Sequence, residues 1–75
     1  MSPTDRMHQA VWETIETYED DTGNGLPFED LFHRVNRALR RRRITVARET
    51  LKAHLSRMDE TGMLFQDAAG GWRLG

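Results

Sequence analysis

TVARETLKAHLSRMDETGML, residues 45–64, is the stretch whose reading decides the fold. Thr45 is a residue type that caps helices, because its hydroxyl accepts a hydrogen bond from a free backbone N–H of the first turn. Ala47, Leu51, Leu55 and Met58 then recur at spacings of four, four and three, which makes one inward apolar stripe. Arg48, Glu49, Lys52 and Ser56 face outward on the same segment, with Arg57 beside them. Gly62 is suited to the left-handed backbone that stops a helix. The spacing therefore predicts a helix over residues 46–61. Beyond it, Met63-Leu64-Phe65-Gln66 and Trp72-Arg73-Leu74 flank Asp67-Ala68-Ala69-Gly70-Gly71. Two short apolar runs around a Gly–Gly turn predict a β-hairpin over 63–74, packed through Phe65, Trp72 and Leu74.

Upstream, Phe28, Leu31, Phe32, Val35 and Leu39 mark a second amphipathic helix over about 28–41. Continued further, that period would carry Arg42 and Arg43 into the core. Burying unpaired guanidinium groups is too costly, so the helix should stop near Arg40 or Arg41. A first helix over about 3–21 has Ser2 as its cap, and Met7, Val11, Ile15 and Tyr18 as its stripe. Trp12 lies beside that stripe, suited to partial burial or to an interface. Thr22-Gly23-Asn24-Gly25 ends this helix, and Leu26-Pro27 is extended, since the residue before proline avoids the helical region.

The net charge of −1 hides a strong asymmetry. Residues 1–30 carry eight acidic side chains against Arg6, residues 31–57 nine basic ones against Glu49. Such separation within one chain suggests a directed electrostatic surface, often for nucleic acid, or two parts that neutralise each other within the fold. Arg40, Arg41, Arg42 and Arg43 raise the same choice: a phosphate grip, or a helix end stabilised by cations.

At 75 residues there is room for one small domain. No cysteine is present, which removes disulfides, iron–sulfur clusters and the usual zinc ligand sets. His8, His33 and His54 form no H-x-x-x-H pair, so the default for each is a surface or half-buried ring. Neither serine has the glycine-flanked context of a nucleophile, and no phosphate loop occurs. The expectation is a non-enzyme without cofactor or metal. No apolar run approaches the roughly 18 residues of a membrane span. Met1 followed by a good helix cap is expected of a complete small protein, and the expected location is cytoplasmic, on the nucleoid if DNA is bound.

Three helices followed by a small hairpin resemble the winged helix-turn-helix family, most specifically in TVARETLKAHLSRMDETGML followed by GGWRL. The resemblance implies a mainly α (α+β) fold with a two-stranded C-terminal wing, and residues 46–61 as a recognition helix in the major groove of duplex DNA. By position, Arg48 would then contact guanine and Glu49 a cytosine amino group, with Ser56 one turn further along. Lys52 and Arg57 would contact phosphate, and Arg40, Arg41, Arg42 and Arg43 would lie where the duplex backbone passes. Wings that enter the minor groove usually carry cations at the tip, and this tip has none. The family also contains protein-interaction members, including adaptor and replication-type modules. A small inhibitor of a nucleic-acid enzyme is a variant of that alternative. A homodimer or protein partner would use Trp12 and the acidic face of the first helix.

Overall fold

The computed structural model describes residues 3–75, so the expected Ser2 cap lies outside the described residues. Three helices, α1 (Pro3–Thr22), α2 (Phe28–Arg40) and α3 (Arg48–Glu60), precede two strands, β1 (Leu64–Gln66) and β2 (Trp72–Leu74). The strands pair antiparallel, with Leu64 opposite Leu74 and Gln66 opposite Trp72. The chain is mainly helical, with one two-stranded hairpin.

One core holds the elements together. Val11 and Ile15 of α1 meet Leu31, Val35 and Leu39 of α2, Leu51, Leu55 and Met58 of α3, and Leu64 and Trp72 of the hairpin. Burying an aliphatic side chain of this size contributes about 1.5–3 kcal/mol each. Leu26, fully buried, adds a third backbone partner to the hairpin, since its N–H and C=O both bond Trp72, at 2.9 and 2.8 Å. The connector between α1 and α2 is thereby pinned to β2.

Each helix ends for a visible local reason. Gly23, at φ 71°, turns the chain out of α1 and donates to Glu19 O at 2.7 Å. Gly62, at φ 79°, does the same for α3 while Met63 donates back to Met58 O. The end of α2 has the same left-handed geometry without a glycine. Arg43 sits at φ 58°, its N–H bonding Arg40 O while Ile44 N–H bonds Leu39 O. A side chain in this region costs about 1 kcal/mol relative to glycine.

Two expectations need correction. α3 begins at Arg48 behind an extended Ala47, and no side chain caps it, so Thr45 is not its cap and exposed Ala47 is not on its inward stripe. The cause is Asn36, whose side chain accepts from Val46 N–H at 2.7 Å and donates to Val46 O at 3.1 Å. This peptide-like clamp fixes the Val46 backbone just ahead of extended Ala47, and the Val46 side chain is buried where Ala47 is not. In the hairpin, Phe65 is 44% exposed and Leu64 fills the core position. Successive strand residues face opposite sides, so only one of the two can point inward.

Candidate nucleic-acid interface

Two of the four consecutive arginines can be placed against a neighbouring element. Arg41 and Arg42 line the cleft between α1 and α2, together with Arg6. None of the run has an ion pair among the described residues, and all four side chains lie in exposed positions. Glu29 and Glu19 instead pair with arginines elsewhere, Arg48 and Arg73 respectively.

On α3 the outward residues form two rows. Arg48, Lys52 and Ser56 run along the side facing α2, one turn apart. Phe28 and Phe32 of α2 lie stacked at 6.2 Å and make a ledge under this row. The Arg48 guanidinium stands 4.4 Å above the Phe32 ring and the Lys52 ammonium 5.4 Å from the Phe28 ring, both within cation–π range. Lys52 and Ser56 also border a shallow hollow with Gln66 and Trp72. Glu49 and Arg57 belong to the other row, around a hollow shared with Met7 and His54.

Arg48 is held twice. Besides Phe32 it donates a charge-assisted hydrogen bond to Glu29, which raises its own pKa and, as the main influence on Glu29, holds that carboxyl below the usual range. Both partners are exposed, so water competes with this pair. To reach a base, Arg48 must release Glu29. The arginine run lies at the opposite end of α2, about 16 Å along the helix axis from Glu29 at 1.5 Å per residue. The hollows at the arginine run and those along α3 have different linings.

The hairpin offers little to a minor groove. Its tip is organised by Asp67, whose carboxylate accepts from Ala69 N–H at 3.0 Å and Gly71 N–H at 2.8 Å. Arg73 is committed to Glu19 at 2.8 Å.

Three features escaped the residue pattern: the placement of Arg6 beside Arg41 and Arg42, the Phe28–Phe32 ledge, and the burial of His54. The default of a surface or half-buried ring is wrong for His54, which is only 6% exposed. His8 meets it edge-on at 5.7 Å, and its Nε2 has no hydrogen-bond partner. Burial chiefly lowers its pKa, with smaller contributions from His8 and Arg57. Glu49 is the one carboxylate among the residues that line the same hollow.

The direction of this shift predicts a pH dependence. Above the ordinary histidine value of 6.5 both folded and unfolded chains keep the ring neutral, and stability is unaffected. As pH falls below 6.5, the unfolded chain takes the proton first and the fold weakens, until the folded ring also titrates. The expected result is a lower urea midpoint at pH 5 than at pH 7.5, with the difference reduced in His54→Leu. An undiminished difference in that variant would assign the effect to other groups.

Among the described residues, no group of three or more His, Asp or Glu side chains is placed to hold a metal ion, and no described helix is long and apolar enough to cross a membrane. No family model, curated protein or solved structure matches the chain.

Proposed function

We propose that the chain binds duplex DNA as a winged helix-turn-helix domain, in the manner of a small transcription regulator. α3 lies in the major groove in this reading, presenting Lys52, Ser56 and Glu49, with Arg48 joining once it leaves Glu29. The arginine turn holds phosphates. One observation carries the proposal: Arg40, Arg41, Arg42 and Arg43 are exposed and lack an ion pair among the described residues. Direct ion pairing within the fold, the competing explanation for such a run, is therefore not seen among the described residues, although Glu13 borders the same cleft as Arg41 and Arg42. Like charges this close repel one another, and a polyanion relieves the repulsion while releasing its own counterions.

Arg43 makes the test clean. Glycine suits φ 58° better than arginine, so Arg43→Gly removes one cation with no expected loss of stability. Fluorescence anisotropy with a mixed-sequence duplex should give a log–log salt slope of about −4 for four neutralised phosphates. Arg43→Gly should make that slope shallower by about 0.9, with the melting temperature maintained. No binding at low salt would overturn the proposal.

A second reading rests on a different observation. Trp12 and Met63, each 36% exposed, border one small hollow with His8 and Gln9 on the acidic helix. A protein-interaction domain would dock a partner there, and Trp12→Ser would abolish that capture while leaving duplex affinity unchanged.

A further inference from the structure

The crossing of α1 and α2 leaves a cleft made of two adjoining hollows, each about 460 Å³, which share Glu13, Thr14, Ala38 and Arg41. Arg6 and Arg42 stand at one hollow, Arg34 and Arg37 at the other. Five of the ten arginines in the chain thus border one cleft, although Arg6 is 28 positions from the nearest of the others in sequence. Glu13 is the one carboxylate among the lining residues, and the Gln9 amide already donates to it at 3.0 Å.

Two further observations point to an anionic occupant. The Arg6 Nε–H is buried and has no hydrogen-bond partner. A buried donor left unsatisfied is costly, and a guanidinium offers its N–H groups as a fork that matches phosphate oxygens in pairs. The second concerns the end of α2, whose carbonyls would ordinarily repel an anion. Here the turn covers two of them: Leu39 O accepts from the Arg42 and Ile44 N–H groups, and Arg40 O from Arg43 N–H. Arg41 and Arg42 border the cleft from that same end.

We propose that the α1–α2 cleft binds a phosphate-bearing anion, with Arg6, Arg41 and Arg42 as its ligands and Arg34 and Arg37 extending the site toward a second phosphate. A free oligophosphate group and the terminal phosphate of a nucleic-acid strand share this chemistry. The site lies apart from the outward rows of α3, and the proposal does not rest on the duplex reading.

The test is a titration of the full chain with inorganic pyrophosphate at constant ionic strength, followed by amide ¹H–¹⁵N spectra, with sodium chloride as the control. Saturable shifts are expected at Arg6, Thr14, Ala38 and Arg41. Arg6→Gln should raise the dissociation constant about tenfold or more, as expected for losing a charge-assisted hydrogen bond, and Arg40→Gln should leave it unchanged. Should Arg6→Gln fold poorly, Arg42→Gln, exposed on the turn, serves as the second variant and should weaken binding likewise. A 5′-phosphorylated strand that competes with pyrophosphate, where its 5′-hydroxyl counterpart does not, identifies strand ends as the source. Competition by neither strand identifies a free oligophosphate. Shifts that never saturate, or that persist with equal affinity in both arginine variants, overturn the proposal. Duplex affinity is read separately by its salt slope, so either proposal can fail alone.

Discussion

Gly71→Ala is expected to cost about 3 kcal/mol, at the upper end of what overpacking does. A Cβ on Gly71 would stand 2.6 Å from Gly25 C and 2.7 Å from Gly25 O, inside any tolerable contact. Neither backbone is free to retreat. Gly71 N–H and O are bonded to Asp67, and the next residues along, Leu26 and Trp72, bond each other twice. A fold of this length has a total stability on the order of 4–11 kcal/mol, so the substitution removes a large share of it. The melting temperature should fall by more than about 10 °C. Gly70→Ala is the control, because a Cβ there meets nothing within 4 Å and only the φ of 85° is strained. Equal, small shifts for the two variants would show that the Gly25–Gly71 contact yields easily.

Asn36→Ala is expected to cost about 3 kcal/mol by urea denaturation, because it strands two backbone groups of a residue whose side chain is buried. Val46 N–H and Val46 O both lose their partner. Asn36 also donates to Phe32 O at 3.1 Å, so the clamp ties α2 to the start of α3 through one amide. Asn36→Asp keeps the acceptor for Val46 N–H and loses the donor, so its cost should fall between wild type and alanine. A loss below about 0.5 kcal/mol in Asn36→Ala, typical of an uncommitted surface position, would mean that water replaces the clamp.

The helices were legible where burial repeats along one element. Val11 and Ile15, or Leu31, Val35 and Leu39, reveal an inward face through spacing alone, and the glycines at 23 and 62 mark helix ends by their conformational freedom. Contacts that join elements left no such trace. Asn36 clamps a residue ten positions away, and Glu29 takes Arg48 from nineteen away, so neither pairing shows as a period. The choice between Leu64 and Phe65 as the inward residue is a matter of parity, and a three-residue strand is too short to declare it. His54 stands next to Leu55 on the inward side of α3, where the apolar pattern by itself did not reserve a place for it. For the candidate site the same division holds. The arginine run is visible in the sequence, but its direction depends on how α1 crosses α2, and that crossing places Arg41 and Arg42 beside Arg6.

The pairing of Leu26 with Trp72 also bears on the order of folding events. The two residues are separated by most of the chain, so their bonds must wait until α2, α3 and the hairpin have closed a long loop. Helix turns and the β1–β2 pair need only neighbours and assemble sooner. The Leu26–Trp72 seam is therefore expected to form late in folding, and strengthening it should act mainly by slowing unfolding, which unfolding rates of Gly25 or Gly71 variants would check. Residence time in the folded form, more than the speed of reaching it, is what this one bridge is expected to set.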